Sequence, residues 1–174
     1  MNQNDVVAAM AVLYPTLQVS IDYTTNNTVP NAATIALWNP VNGTPPTTDQ
    51  LQTALDGIQL TGYKTLQSQA IENSFQTATY GTPIAYMGTT FWTDSNSQTM
   101  LLGASSAMTL AGAVPSGFAW WDTTGNPIEM TLAQLQGLLQ AVVAMINTNF
   151  VKKKALLVQI AAATTATAVQ AITW

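Results

Sequence analysis

The sequence has 174 residues and a net charge of −4, and only 7% of its residues are charged, against about 25% in typical globular proteins. It contains no His and no Cys, which excludes Ser–His–Asp and Cys–His catalysis and zinc sites built on those ligands. Only four residues are basic, so no nucleic-acid partner is expected.

The deficit of charge also indicates how the surface is used. Thr, Gln, Asn, Ser and Ala must cover the chain, and such a surface is desolvated at low cost. It therefore suits a subunit of an assembly, and we expect a homo-oligomer; the alternative is a globular protein with a neutral surface. No segment reaches the ~20 apolar residues of a membrane span. The first residues lack a basic region and include Asp5, so no secretory signal and cytoplasmic synthesis are expected.

The first third of the chain predicts a helix and a hairpin. Residues 5–13 have the pattern of a short amphipathic helix. Alternation over 17–23 predicts a strand, and 33–38 predicts a second one. The two strands are expected to pair, with a long polar tip over 24–31.

A second helical region follows the turn-forming prolines. Thr47 and Gln50 have the spacing of a capping box and predict a helix start. Gly57 or Gly62 is expected to end this helix, and another helix is expected to run to about Thr79.

The next region predicts one strand and one helix. Residues 84–92 read as a single strand. Ser95 and Gln98 predict the cap of a helix over about 97–110, which is followed by a loop.

The last third predicts a hairpin over 118–130 and one long helix. Thr131 and Gln134 form another capping-box pair, and apolar residues then recur at steps of three and four. We predict a continuous helix over about 131–163.

Together these elements predict an α+β fold in two parts. Residues 1–80 form an N-terminal β-hairpin region with helices. Residues 81–174 form a C-terminal module of short strands packed on the long helix.

Three carboxylates are the remaining candidates for chemistry. Asp94, Asp122 and Glu129 could supply an acid and a base if the strand ending near residue 92 lies beside the hairpin. The structural interpretation is favoured: Asp94 caps a turn and Asp122 shapes the hairpin loop. We therefore expect no catalytic residue, no metal site and no cofactor, and no enzymatic activity.

The tryptophans and the long helix supply candidate contact residues. Trp120 and Trp121 are adjacent on a strand, so their side chains point to opposite faces and only one can face the core. The other needs a partner chain, another element or a ligand such as a sugar ring, and subunit contact is favoured. Trp174 ends the chain as an aromatic anchor.

Two polar residues, Asn149 and Lys153, interrupt the apolar stripe of the long helix. Either the stripe rotates to Phe150 and Leu157 and leaves both polar groups outside, or a buried polar residue fixes the register of self-association. The candidate interface residues are Trp120, Trp121, Trp174, Asn149, Phe150 and Lys153.

The motifs in the second half resemble a known module. Phe91–Ser95, the small-residue run Leu101–Ala104, Trp120 or Trp121 with Asp122, and Met130–Leu135 ahead of the long helix resemble a C-terminal module of unknown biochemical role. That module occurs in tail and tail-fibre-associated proteins of bacteriophages and prophages.

The resemblance implies a structural component of a phage tail, baseplate or tail fibre. Other tail or baseplate proteins would be its partners, and the virion tail its location after synthesis in the host bacterium. One alternative is a tail-fibre assembly chaperone, and a second is a carbohydrate-binding module for host attachment. The family supplies no catalytic residue to place in this sequence.

The low charge of the surface predicts that the chain self-associates. The purified chain should sediment as dimers or trimers, because a Thr- and Gln-rich surface gives up little hydration on association. Analytical ultracentrifugation over a range of concentrations tests this. A clean monomer at high concentration would contradict this interpretation of the surface.

Overall fold

A computed structural model describes residues 2–19, 22–26 and 34–174 of the chain. Within these residues the helices are α1 Gln3–Leu13, α2 Thr48–Gln76, α3 Ser95–Ala111, α4 Leu132–Ala162 and α5 Ala166–Gln170. A 3₁₀ turn covers Pro40–Asn42, and a π-helical turn covers Thr77–Gly81. The strands are β1 Tyr23–Asn26, β2 Thr34–Trp38, β3 Ile84–Tyr86, β4 Thr89–Phe91, β5 Ala119–Trp121 and β6 Pro127–Glu129.

The strands pair as three antiparallel hairpins, β1 with β2, β3 with β4 and β5 with β6. The predicted α+β class is confirmed, with an N-terminal hairpin region and short strands packed on a long C-terminal helix. The chain forms two compact units: Met1–Leu66 with Thr164–Gln170, and Gln67–Ala163 with Ala171–Trp174. The division predicted near residue 80 stays a prediction.

The first unit is built around α1 and the first hairpin. Asn2 and Asp5 form a reciprocal capping box that starts α1. The indole nitrogen of Trp38 donates to the carbonyl of Gly43 at 2.7 Å, and its ring meets Tyr14 edge-on at 5.5 Å. The buried residues of this core are Val6, Ala9, Met10, Tyr23 and Leu51.

The strand predicted over 17–23 is wrong at residues 17–19 and 22, while residues 20 and 21 lie outside the described residues. The Asp22 carboxylate accepts a hydrogen bond from the backbone of Gln18 at 2.9 Å, and the Asp22 amide donates to the Gln18 carbonyl. This local exchange closes a turn, so the strand begins only at Tyr23. The first part of the predicted tip, 24–26, belongs to β1, and residues 27–33 lie outside the described residues.

Helix α2 does not break at its glycines, contrary to prediction. Thr47 and Gln50 form the predicted capping box, and the helix then runs without interruption through Gly57 and Gly62 to Gln76. A glycine inside a helix costs about 1 kcal/mol relative to alanine, which neighbouring helical residues and packing offset.

Two further boundaries differ from prediction. Residues 84–92 form a hairpin and not one strand, because Met87 and Gly88 both adopt positive φ values, 53° and 81°, in a two-residue turn. Helix α3 is capped by Asp94 instead of Ser95. The Asp94 carboxylate accepts from the backbone nitrogens of Asn96 and Ser97, both at 3.0 Å.

The second unit is organised along α4. Thr131 and Gln134 cap it reciprocally as predicted, and its 31 residues correspond to about 46 Å. Its inward side chains meet residues from α3 and from the last two hairpins in one core. The buried members are Phe91, Leu101, Met130, Leu135, Leu138 and Val142.

Two helical glycines should respond oppositely to substitution. A Cβ at Gly62 would meet no atom within 4 Å, so Gly62→Ala should stabilise the chain by up to about 1 kcal/mol through helix propensity. A Cβ at Gly137 would run into the hydroxyl of Tyr86, so Gly137→Ala should destabilise by about 1–3 kcal/mol. Thermal unfolding followed by circular dichroism measures both. Equal shifts in the two variants would contradict the packing at Gly137.

Candidate interaction site

The last two hairpins are joined by hydrogen bonds between β4 and the β5–β6 turn. The Thr123 amide donates to the Thr90 carbonyl at 2.9 Å, and the hydroxyls of these two residues lie 2.6 Å apart. The Thr89 hydroxyl donates to the Asp122 carboxylate at 3.1 Å. Strand β4, which ends at Phe91, therefore lies beside the β5–β6 hairpin.

The Asp122 carboxylate is the hydrogen-bonding centre of the β5–β6 turn. Its Oδ1 accepts from the amide of Asn126 at 2.8 Å and from the amide and hydroxyl of Thr124 at 2.9 and 2.8 Å. Its Oδ2 accepts from the side chains of Asn126 and Thr89. Donors from Asn126 and then Thr124 hold the pKa of Asp122 well below its usual 3.8. The carboxylate is thus ionised, and its oxygens accept hydrogen bonds from its own loop and from Thr89 on β4.

Neither Asp94 nor Glu129 forms a reactive pair with Asp122. Asp94 accepts from Ser97 and Asn96 at the start of α3, which lowers its pKa, and Glu129 lies exposed on β6. Within the described ranges, no group of three or more His, Cys, Asp or Glu side chains is placed to hold a metal ion. These contacts agree with the structural interpretation of Asp94 and Asp122.

The adjacent tryptophans of β5 point to opposite faces, as predicted. Trp120 pairs with Ile128 and packs against the core of the second unit, with its ring 6.4 Å from that of Phe118. Trp121 pairs with Pro127 and remains 61% exposed. The alternation of the strand decides which of the two indoles is the more exposed.

Two other large side chains, those of Trp92 and Met100, are exposed near Trp121. Trp92, which follows the buried Phe91 at the end of β4, is 52% exposed, and Met100 on α3 is 56% exposed. Together with Trp120 these side chains line an open groove of about 340 Å³. We call it the tryptophan groove. The candidate interface residues predicted from the sequence do not include Trp92 or Met100, although the alternation at 91–92 was a usable signal for Trp92.

The polar groups around the tryptophan groove are engaged within the chain. Asp122 accepts five hydrogen bonds from its surroundings, and the Ser97 hydroxyl donates to the Asp94 carboxylate. The Thr123 hydroxyl pairs with that of Thr90. What the groove offers a partner is therefore mainly aromatic and thioether surface, the kind enriched at protein interfaces.

Asn149 faces its own chain. Its side-chain nitrogen donates to the carbonyl of Ala78 at 3.1 Å and to the hydroxyl of the fully buried Thr79 at 3.3 Å. Both acceptors lie in the π-helical turn, whose carbonyls need partners where the helix ends. The side chain of Gln98 on α3 donates to another carbonyl of this turn, that of Thr79, at 3.0 Å.

Lys153 lies one turn further along the same face of α4. Its ammonium group forms an ion pair with Glu72 at 3.1 Å and stands 3.9 Å from the centre of the Phe75 ring. Hydrogen bonds from Gln76 and then Lys153 lower the pKa of Glu72. The interpretation that left Asn149 and Lys153 outside is wrong, because both reach α2 or the turn that follows it.

Trp174 is likewise held within the second unit. Its ring meets Phe75 edge-on at 6.4 Å, and the ammonium group of Lys152 lies 4.6 Å from its centre. Nearby, the side chain of Gln67 donates to the carbonyl of Ile172. The terminal aromatic residue thus anchors the end of the chain beside α2.

The six candidate interface residues are therefore placed differently. Trp121 and Phe150 are exposed, Trp120 is partly buried in the core, and the other three contact their own chain. Their roles in contacts between subunits stay predictions. No helix among the described residues is long and apolar enough to cross a membrane.

Comparison with known families gives two matches. Residues 58–173, two thirds of the chain, match the model of a family described as Domain of unknown function (DUF4376). Residues 6–61 match the model described as XkdW protein, a phage-associated family, which is consistent with a phage protein. No curated protein and no solved structure matches the chain.

The Asn149 contacts predict a specific loss of stability. Asn149→Ala should destabilise the second unit by about 1–2 kcal/mol, because the Ala78 carbonyl loses its side-chain donor. Asn147→Ala, at an exposed position of the same helix, is the matched control and should stay within about 0.5 kcal/mol. Denaturant unfolding of dilute protein measures both. Equal stability of the two variants would show that Asn149 does not support the turn.

Proposed function

The chain belongs to the family described as Domain of unknown function (DUF4376), and on that basis, with its match to the phage-associated XkdW protein family, we propose that it is a structural component of a phage or prophage tail, baseplate or tail fibre. It is made in the host cytoplasm and built into the virion. It acts through protein–protein contacts and not as an enzyme.

The observation that supports this proposal most directly is the tryptophan groove. Two half-exposed indoles and an exposed methionine surround one depression in the second unit. Large apolar side chains exposed together mark contact sites more often than scattered ones do. Tryptophan is also among the residues whose truncation costs the most binding energy at interfaces. A neighbouring tail subunit is therefore the occupant we propose for the groove.

The scarcity of charge supports the same role. A contact surface made of neutral polar and apolar groups avoids the cost of burying unpaired ions. The chain has 12 charged residues in all, and several of them are used internally, as in the Lys153–Glu72 ion pair and the Asp94 cap.

The alternative role is that of a tail-fibre assembly chaperone. The two roles differ in whether the protein is present in the finished virion. A chaperone binds through the same kind of apolar surface but leaves once the fibre has assembled. Mass spectrometry of purified virions separates the two roles. The structural role requires the chain in the particle, and its absence would overturn that role in favour of the chaperone.

Carbohydrate binding is a second candidate, favoured by the exposed indoles of Trp92 and Trp121, which could stack on sugar rings. Against it, the nearby Asp122 carboxylate and Ser97 hydroxyl are already engaged, and sugar recognition needs polar groups that bind hydroxyls. Binding to a glycan array that is abolished by Trp121→Ala would favour this candidate over the structural role.

Truncation of the groove predicts the outcome in the virion. In the phage or prophage that encodes the chain, Trp92→Ala with Trp121→Ala should lower incorporation into particles by about tenfold or more, because two interface tryptophans are removed. Quantitative mass spectrometry of purified particles measures this, with circular dichroism to confirm folding.

Leu110→Ala is the control for that experiment. Leu110 is more exposed than either tryptophan, belongs to the same unit and does not line the groove, so its removal should leave incorporation unchanged. Equal incorporation of the double variant and the control would contradict the groove as the contact site.

A further inference from the structure

A second groove of the second unit lies between α3 and α4. It is open and has a volume of about 750 Å³, which is within the size range of sites for small ligands. Both helices belong to the same unit, and the groove shares no residue with the tryptophan groove. We call it the α3–α4 groove. Its polar lining residues are Ser105, Ser106, Thr109, Gln136 and Gln140.

One of these polar side chains is buried without a hydrogen-bond partner. Ser105 is only 3% exposed, and its hydroxyl forms no hydrogen bond with any part of the chain that the structure describes. The hydroxyl is not sealed in the core, so it opens onto the groove. Thr109 differs, because its hydroxyl donates to the Ser105 carbonyl at 2.7 Å and accepts from the Gln136 side chain at 2.9 Å. A buried hydroxyl without a partner indicates a place where another polar group can bind.

The lining of the groove is electrically neutral. Among the described residues that form it, none carries a charge, so an anionic ligand would find no cation there. The C-terminal end of α3, which borders the groove at Thr109 and Leu110, adds a partial negative charge that also disfavours anions. Metal ions such as Ca²⁺ and Mg²⁺ need carboxylate ligands, which the lining lacks. The groove therefore suits an uncharged ligand.

The same lining offers hydrogen-bond donors, acceptors and apolar surface together. The Ser106 hydroxyl and the Gln140 amide can each donate and accept, and neither is engaged by another described residue. Leu110, which is 92% exposed, and Leu139 add apolar surface beside them. A sugar has the matching combination, since its hydroxyl groups donate and accept while its C–H faces pack on apolar side chains.

We propose that the α3–α4 groove binds a neutral saccharide, with the Ser105 hydroxyl as the buried contact. The side chains of Ser106 and Gln140 bind further sugar hydroxyls at the rim. This site differs from the tryptophan groove, where Trp92 and Trp121 supply rings but the polar groups are already engaged. An open groove with few polar contacts should bind weakly, with a dissociation constant on the order of 0.1–1 mM. The inference does not depend on the tail role.

Ser105→Ala first tests whether the hydroxyl serves the fold. No hydrogen bond is lost and alanine has the higher helix propensity, so the variant should unfold at the same temperature as the parent or up to about 3 °C higher. Ser97→Ala is the contrast, because its hydroxyl donates to Asp94, and it should unfold a few degrees lower. A midpoint of Ser105→Ala lowered by more than about 3 °C would assign the hydroxyl to the fold and overturn the proposal.

An array of neutral and acidic oligosaccharides tests binding by the full chain, tetramerised through an N-terminal biotin on labelled streptavidin to raise avidity. At least one neutral glycan should bind. In an NMR titration with that free glycan, Ser105→Ala should weaken binding by about three- to tenfold, because one hydrogen bond is lost. Ser116→Ala, at an exposed position outside the groove, and Trp121→Ala should leave it unchanged.

Three outcomes of the glycan experiment would overturn the proposal. They are no binding at all, binding to acidic glycans alone, and binding that Trp121→Ala abolishes while Ser105→Ala leaves it intact. The last of these would place the sugar in the tryptophan groove.

Discussion

The second unit depends on the hydrogen bonds that side chains donate to the backbone carbonyls after the end of α2. A long helix that stops inside a compact unit leaves carbonyl oxygens without helical partners, and burying them unpaired costs about 1–3 kcal/mol each. Here Asn149 of α4 and Gln98 of α3 donate to the carbonyls of Ala78 and Thr79. The same hydrogen bonds that terminate α2 therefore fix the two helices that border it. Asn149 thus interrupts the apolar stripe of α4 where it supports the end of α2.

A fixed α3 and α4 in turn determine which apolar groups remain at the surface. The core along α4 buries Phe91 and half-buries Trp120, and strand alternation then leaves Trp92 and Trp121 outside. Asp122 joins the β5–β6 turn to β4, so that Trp92 and Trp121 border one groove beside Met100. The groove is thus a consequence of a rigid polar framework beneath it. Interaction sites on rigid elements lose less entropy on binding than those on loose loops.

Much of the local structure could be predicted, because its causes are local. The capping boxes at Thr47 and Thr131, the hairpin over 118–130 and the opposite faces of the adjacent tryptophans follow from spacing and alternation. The predicted secondary structure was wrong where one residue type is compatible with two local structures. Gly57 and Gly62 were expected to end a helix that continues through them, and Asp22 closes a turn inside the expected strand. The Met87–Gly88 turn was missed because one short apolar run can also fit a single strand.

The sequence by itself determined the charge-poor surface, the helix starts and the exclusion of catalysis based on His or Cys, because these depend on residue type and near neighbours. Only the tertiary structure decided the partners of Asn149 and Lys153, which lie some 70 to 80 residues away along the chain. It also decided that Trp92 and Met100 join Trp121 at one groove. Periodicity can place a side chain on a face of a helix or strand. It cannot say whether that face meets another part of the same chain, and this distinction separates Asn149 from Phe150.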